Sequence, residues 1–198
     1  MTDVAAPVET PSPPGSQPPA RHTARWVGVT VLVAAAGLIA VLATRPPAVV
    51  SEIQSPLLGK MAPPVGGLTL DGQKFALPKV PGTFVVVNFF ADWCQPCRSE
   101  GPDLVKFSFE HQQSGDARLV SVVFNDTPSA ARSYQAMLGA NWPTLADPQG
   151  NLALSYGVRG PPSTFLIAPD GRMVAYVVAP VTADDLDQLI ARAKADGA

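Results

Sequence analysis

The sequence of 198 residues has little cysteine, little histidine and little charge. It contains two cysteines and two histidines, and charged residues make up 15% of the chain, with a formal net charge of −2. Two cysteines are too few for a scaffold held together by disulfides, and with so few histidines they make a poor structural zinc site. A chain so weakly charged, without a large basic cluster, gives no support to nucleic-acid binding.

One segment lacks charge altogether. Residues 26–44, WVGVTVLVAAAGLIAVLAT, form an uncharged run within a chain that is 46% hydrophobic. As a helix with a rise of about 1.5 Å per residue, the run would be roughly 28 Å long, close to the hydrocarbon thickness of a bilayer. The sequence therefore predicts one transmembrane helix, with a buried core helix as the alternative.

The cations beside this run predict its orientation. Arg21 and Arg25 precede it, whereas only Arg45 follows it closely. Because positively charged flanks tend to stay in the cytoplasm, we expect a single-pass protein of the cell membrane with its N-terminus in the cytoplasm and the rest outside. A signal peptide cleaved near Ala43 is the alternative, and it leads to the same extracytoplasmic location for the folded part.

Proline separates the remaining segments. Residues 1–25 contain six prolines and no aliphatic pattern that could form a core, which predicts a disordered cytoplasmic tail. The proline-rich stretch 45–64, after the uncharged run, is expected to be a semi-extended linker. Residues 65–198 are numerous enough to bury a core and form the predicted folded domain.

Strand and helix patterns alternate in that domain. Asp71-Gly72 lies between short apolar runs and predicts a hairpin, and the apolar run Phe84–Phe90 predicts a strand buried on both faces. The pattern favours an α/β fold with a mixed central sheet and helices on both faces. The other expected elements are strands at 119–124, 164–167 and 173–178, and helices at 95–112 with a kink at Gly101-Pro102, at 128–138, and from the cap Thr182 to about 195.

Cys94 and Cys97 stand where the buried strand gives way to a helix. The first turn of a helix has free N–H groups and a partial positive charge, which stabilise a thiolate at Cys94 and can lower a cysteine pKa from about 8.5 into the range of about 3.5–7.5. We expect Cys94 to be the exposed thiol, and Cys97, one turn later, to face inward and to react second in a disulfide pair. Pro96 suits the first turn because its missing N–H costs little there. A metal site and a pair of inert core thiols are the alternatives.

The segment FADWCQPCRSEGP resembles the active-site segment of the thioredoxin superfamily. It is most similar to the TlpA/ResA/DsbE-like family of membrane-anchored thioredoxin-like proteins, which serve cytochrome c maturation and related thiol reduction outside the cytoplasm. The resemblance covers about residues 57–195 and includes SPLLGKMAPP, YGVRGPPSTFLI at 156–167 and the turn PDG at 169–171. It implies a thioredoxin fold.

The resemblance also implies roles for individual residues. Pro162 is expected to be a cis-proline that packs beside the disulfide, while Pro161 before it departs from the family and lacks an N–H. Glu100 is expected to tune the cysteines and to relay protons, with a solvated helix carboxylate as the alternative. Asn88 stands where ordinary thioredoxins have a buried aspartate, and we expect a satisfied core amide. Ser163 replaces a glutamate that is common in the DsbE-like subgroup.

Other polar and aromatic residues surround the motif. Trp93 is expected to cover the disulfide and to contact substrate, with a partly buried core aromatic as the alternative. Asp92 is expected to be a solvated loop acid, and Trp142-Pro143 to provide loop packing.

The sequence therefore predicts a membrane-tethered thiol–disulfide oxidoreductase that acts without cofactor or metal. We expect Cys94 to attack protein disulfides, with the haem-attachment site of an apocytochrome c as the expected substrate and a transmembrane thiol carrier as the electron donor. The alternatives are an extracytoplasmic oxidant that forms disulfides, a thioredoxin-fold module that delivers a metal, and, more remotely, a peroxide reductase.

Overall fold

The computed structural model describes residues 21–43, 53–78 and 80–198. The chain divides into two compact units, 1–48 and 49–198. Most of the predicted tail 1–25 and the first part of the predicted linker 45–64 lie outside the described residues.

The first unit contains helix α1, Arg21–Ala43. This helix overlaps the uncharged run 26–44. Within the described part of the chain, no helix combines the length and the apolar character needed to cross a membrane. The predicted span stays a prediction from the sequence.

The second unit is a mixed α/β domain built on one seven-stranded sheet. The strands lie in the order β2-β1-β5-β4-β3-β6-β7; β3–β4 and β4–β5 are parallel pairs, and the other neighbours are antiparallel. The elements are β1 Gly66–Thr69, β2 Lys74–Ala76, β3 Phe84–Phe90, α2 Gln95–Ser114, β4 Ala117–Val123, α3 Pro128–Leu138, β5 Thr144–Ala146, α4 Asn151–Tyr156, β6 Ser163–Ile167, β7 Met173–Val177 and α5 Ala183–Ala195.

Strand β3 lies between β4 and β6, and all of its residues are buried, as the apolar run predicts. Phe84 and Val86 join a cluster with residues of α2 and α5, whereas Val85, Val87 and Phe89 join a cluster on the other face with residues of α4. Because successive side chains of a strand point to opposite faces, the sheet is covered by helices on both sides. The predicted architecture of the domain is confirmed.

Two elements were absent from the predicted order, β5 and α4. β5 has three residues and α4 has six, too few for a period of two or of 3.6 residues to be visible in the sequence. The omission matters because Leu68 of β1 pairs with Ala146 of β5. The predicted hairpin therefore joins the sheet through a strand that the sequence pattern does not show.

The described end of the predicted linker belongs to the folded domain. The N–H of Ile53 donates to the carbonyl of Tyr176 at 2.8 Å, and Leu58 forms a parallel bridge with Met173. Residues 53–61 thus lie alongside β7. The folded unit therefore begins before residue 65, the start that composition predicts.

Helices α2 and α3 approach each other closely at Gly101. A Cβ atom on Gly101 would lie 2.5 Å from the hydroxyl oxygen of Tyr134 and 2.9 Å from a methyl carbon of Leu138. The glycine therefore creates the space in which α3 docks. Helix α2 continues through Pro102, whose missing N–H deprives the carbonyl of Arg98 of its usual helical partner.

Replacing Gly101 by alanine should destabilise the protein by about 1–2 kcal/mol. Overpacking a dense contact costs about 1–3 kcal/mol, more than the roughly 1 kcal/mol that alanine gains over glycine in a helix. Urea unfolding of the oxidised protein measures the difference. Gly160→Ala is the matched control, because a Cβ there meets nothing within 4 Å; equal stability of the two variants would contradict the proposed contact.

Candidate active site

The two cysteines form a disulfide at the start of α2, with an S–S distance of 2.06 Å. Cys94 is the N-cap of the helix, and its sulfur accepts a hydrogen bond from the backbone N–H of Cys97 at 3.1 Å. Pro96 lies in the first turn, as predicted. A free helical N–H therefore points at the sulfur of Cys94, which favours negative charge on that atom when the disulfide is reduced.

The expected exposure of Cys94 is wrong for the disulfide form. Cys94 is 3% exposed and Cys97 1% exposed. Both belong to a small apolar cluster that includes Phe90, Val123 and Tyr134. Because the two bonded sulfurs lie within this cluster, neither cysteine is freely accessible while the disulfide is intact.

Asp92, expected to be a solvated acid, is instead held in place before the cysteines. Its carbonyl accepts a hydrogen bond from Arg98 Nε at 2.8 Å, and its carboxylate forms an ion pair with the same guanidinium. Its N–H donates to the carboxylate of Asp126 at 2.7 Å. These contacts fix the loop that leads from β3 to Cys94.

Trp93 is 58% exposed, which excludes the alternative of a core aromatic. Its indole N–H donates to the carbonyl of Asn125 at 3.1 Å. Asn125 itself has a φ of 46°, in the left-handed region that asparagine tolerates better than most residues. The indole is thus anchored at one edge while much of its surface remains open to a binding partner.

Glu100 lies in the protein interior and is only 2% exposed, so it is not a solvated carboxylate. Its Oε1 accepts a hydrogen bond from Asn88 Nδ2 at 2.8 Å, and its Oε2 accepts one from the N–H of Val181 at 3.1 Å. Asn88 also donates to Thr164 at 3.1 Å, but its Oδ1 has no hydrogen-bond partner among the described residues. The expectation that Asn88 is a fully satisfied amide is therefore only half correct.

Burial raises the pKa of Glu100 to about 7, even though the two hydrogen bonds to its oxygens act in the opposite direction. Desolvation disfavours the charged form of a carboxyl group, and here it outweighs the hydrogen bonds to the charged form. Asp103 raises the pKa slightly further. A carboxyl group that changes its charge near neutral pH therefore lies three residues after Cys97.

The peptide bond between Pro161 and Pro162 is cis, as predicted. Ser163, which follows it, donates from its hydroxyl to the carbonyl of Gly160 at 2.8 Å and pairs with Phe89 near the end of β3. Since β3 and β6 are antiparallel, the start of β6 lies at the same end of the sheet as the loop that carries the cysteines. Pro161 offers a carbonyl but no N–H to anything that binds there.

The sequence analysis missed Tyr134 and Arg98. The hydroxyl of Tyr134 donates to the carbonyl of Cys97 at 3.1 Å, and the guanidinium of Arg98 lies 5.4 Å from the centre of the Tyr134 ring. Gly101 is the available signal, because an isolated glycine inside a helix pattern often marks a close contact. It could not have identified the partner, which is 33 residues further along the chain.

Comparison with known proteins places this arrangement in a family. The profile of the AhpC/TSA family matches residues 58–176. The thiol:disulfide interchange protein HelX of Rhodobacter capsulatus is 36% identical over 110 residues, which cover 55% of this chain and 60% of HelX. The chain therefore spans less than two thirds of that relative.

Two further comparisons agree with this match. A thiol:disulfide interchange protein DsbE homolog of Paracoccus denitrificans is 35% identical over 139 residues, which cover 67% of this chain and 73% of the homolog. A thiol:disulfide interchange protein of the thioredoxin family from Chlorobium tepidum has a similar structure, with a TM-score of 0.61 and 27% identity, covering 71% of this chain and 98% of that one. These matches confirm the predicted resemblance and the thioredoxin-like fold.

Replacing Glu100 by glutamine should remove a pH dependence of stability. The pKa is about 7 in the folded protein and near the ordinary value of 4.5 in the unfolded chain, so the folded state binds more protons between these values. The stability of the wild type should therefore fall as the pH rises from about 4.5 to about 7, by roughly 3 kcal/mol, and remain lower above that window. Equilibrium unfolding of the oxidised proteins across the window measures this loss.

Glu110→Gln is the control for that experiment, because Glu110 is an exposed carboxylate of the same helix. It should leave the pH dependence of the wild type intact. A loss of stability between pH 4.5 and 7 as large in Glu100→Gln as in the wild type would contradict the raised pKa of Glu100; the raised pKa of His111 accounts for a smaller loss that remains.

Proposed function

The chain belongs to the AhpC/TSA family, and we propose that it is an extracytoplasmic reductant of protein disulfides. Its predicted class, a thiol–disulfide oxidoreductase, is confirmed by its relatives and by the disulfide between Cys94 and Cys97. The direction of electron transfer, the substrate, the location and the roles of individual residues are our proposals.

One observation carries the proposed chemistry, the N–H of Cys97 directed at the sulfur of Cys94. In the reduced protein this donor and the start of α2 stabilise a thiolate at Cys94. That thiolate attacks a client disulfide; one client sulfur leaves as a thiolate, and a mixed disulfide forms through Cys94. Cys97, as a thiolate, then attacks the sulfur of Cys94, which releases the second client thiolate. Two electrons pass to the client, and the Cys94–Cys97 disulfide remains.

Glu100 is suited to handle the proton of this second step. Cys97 must lose its proton before it attacks, and a carboxyl group with a pKa of about 7 can accept a proton near neutral pH. Asn88 cannot serve this purpose because an amide does not titrate in this range. We therefore assign Glu100, three residues from Cys97 on the same helix, the role of proton acceptor.

The substrate surface is assigned to Trp93 and Pro162. Trp93 is largely exposed beside Cys94, and the cis-proline Pro162 directly precedes β6 at the same end of the sheet. Because Pro161 has no N–H, a client can find only acceptors on this part of the backbone. A client segment bound here is expected to contribute the donors.

The resemblance to cytochrome c maturation proteins supports a reduced CxxCH haem-attachment site as the product of the reaction. Such a site needs two free thiols, and a compartment that oxidises thiols would otherwise lock them in a disulfide. Electrons must then reach Cys94 and Cys97 from a thiol carrier in the membrane. The Arg-flanked, uncharged run 26–44 supports tethering of the domain to that membrane.

The reduction potential of the cysteine pair should lie at about −200 mV or below. Dedicated oxidants of the thioredoxin fold lie near −120 mV and thioredoxin near −270 mV, and 30 mV corresponds to about 1.4 kcal/mol for two electrons. Equilibration with glutathione or dithiothreitol buffers measures the potential. A value close to that of the oxidants would reverse the proposed direction.

Cys97→Ala should trap clients as mixed disulfides through Cys94, since the step that releases them is lost. Mass spectrometry of the trapped partners should identify apocytochromes c. The Cys94→Ala variant is the matched control and should trap none of them. Trapped proteins that carry structural disulfides, without cytochromes, would contradict the proposed substrate class.

Replacing three residues of the run 26–44 by aspartate should release the protein from membranes, because each charge at the centre of a span costs about 2.5–3.5 kcal/mol. Fractionation of cells, with protease added to spheroplasts, measures tethering and topology. Three aspartates in residues 1–20 provide the control and should leave the protein bound. Wild-type protein in the soluble fraction, or a folded domain protected from protease, would contradict the tether or its orientation.

A further inference from the structure

Tyr134 of α3 reaches the turn of α2 that carries Cys97. Its side chain is 5% exposed, and its hydroxyl donates to the carbonyl of Cys97 at 3.1 Å. The contact joins residues 37 positions apart and lies within the apolar cluster that contains both cysteines. It is therefore a tertiary restraint on the backbone of Cys97.

The helical hydrogen bonding of α2 is incomplete just after Cys97. Pro102 has no N–H, so the carbonyl of Arg98 lacks the bond that would tie the first turn to the next. Gly101 adds no side chain, and the space beside it holds the Tyr134 hydroxyl. The helix is thus weakened by its own sequence directly after Cys97, and the Tyr134 hydroxyl of α3 adds a hydrogen bond at the carbonyl of Cys97, one residue before Arg98.

The ring of Tyr134 is itself held from the solvent side. The guanidinium of Arg98 lies 5.4 Å from the ring centre, and the same group binds the carbonyl and carboxylate of Asp92 in the loop before Cys94. Burial raises the pKa of Tyr134 above its ordinary value of 10, so the hydroxyl remains a donor at neutral pH. Arg98 therefore links the support of Cys97 to the loop that leads to Cys94.

We propose that Tyr134 is a positioning residue for the second step of disulfide exchange, the attack of Cys97 on the mixed disulfide at Cys94. The proposal rests on the proposed function of the two cysteines. In this step the Cys97 thiolate forms a bond to the sulfur of Cys94, the bond from Cys94 to the client sulfur breaks, and the client leaves as a thiolate. The attacking sulfur must lie in line with the breaking bond, so a restraint on the Cys97 backbone affects this step. The first attack, by Cys94, does not need this alignment and is affected less, through the N–H of Cys97 alone.

Tyr134→Phe tests the proposal because it removes the hydroxyl and keeps the ring under Arg98. The reduced protein is mixed with dithiobis(nitrobenzoate), an aromatic disulfide whose thiolate product is coloured. The first equivalent of coloured thiolate reports the attack by Cys94, and the second reports the attack by Cys97. We expect the second phase to slow by about fivefold, the equivalent of about 1 kcal/mol, with the first phase within twofold of the wild type.

Tyr156→Phe is the matched control. The Tyr156 hydroxyl also donates to a backbone carbonyl, that of Pro63 at 2.8 Å, and its side chain is likewise buried. Its removal should lower stability by a similar amount and leave both kinetic phases unchanged. Urea unfolding of the two oxidised variants verifies that they are folded and equally destabilised.

Three outcomes would overturn the proposal: an unchanged second phase in Tyr134→Phe, equal slowing of both phases, or equal slowing in Tyr156→Phe. If Tyr134→Phe does not fold while Tyr156→Phe does, the contact serves the fold and the proposal is also overturned. Failure of the proposed reductive direction has a different signature, a reduction potential near that of the dedicated oxidants, which leaves both phases of coloured thiolate release intact.

Discussion

The junction between β3 and α2 is the constraint on which the site depends. β3 is hydrogen-bonded on both sides, to β4 and to β6, and all of its residues are buried. It ends four residues before Cys94, so the first turn of α2 starts from a fixed point. The sulfur of Cys94 then serves as the cap of that turn, which means that the group that stabilises the start of the helix is also the proposed nucleophile.

Two buried polar side chains of the site, Glu100 and Asn88, cost the folded protein free energy. The carboxyl group of Glu100 is buried, accepts two hydrogen bonds, and still has a pKa of about 7 because desolvation outweighs them. Next to it, one buried oxygen of Asn88 has no hydrogen-bond partner within the described part of the chain. Incompletely satisfied polar groups of this kind destabilise a core, and strongly shifted pKa values are typical of functional sites.

Features set by neighbouring residues could be predicted from the sequence, whereas contacts between distant elements could not. The buried strand β3, the start of α2 and the disulfide were predictable, since each depends on residues adjacent in sequence, and Pro162 was assigned as cis through the family resemblance. The short elements β5 and α4 lack a visible period. Tyr134, Arg98 and the state of Asp92 depend on which helix surfaces meet, and a single sequence does not contain this information. The predicted exposure of Cys94 was wrong for the same reason, because the residues that bury this cysteine come from β4 and α3.

The segment 53–61 beside β7 has a consequence for how the domain is handled. β7 is the last strand of the sheet, and this segment occupies carbonyl groups of Tyr176 and Met173 on its outer side. A fragment cut at residue 65, the boundary that composition suggests, would leave that row of backbone groups bare. Bare strand edges recruit strands from other molecules, so such a fragment would tend towards edge-to-edge association. The described end of the proline-rich stretch thus covers one edge of the sheet as well as leading into the domain.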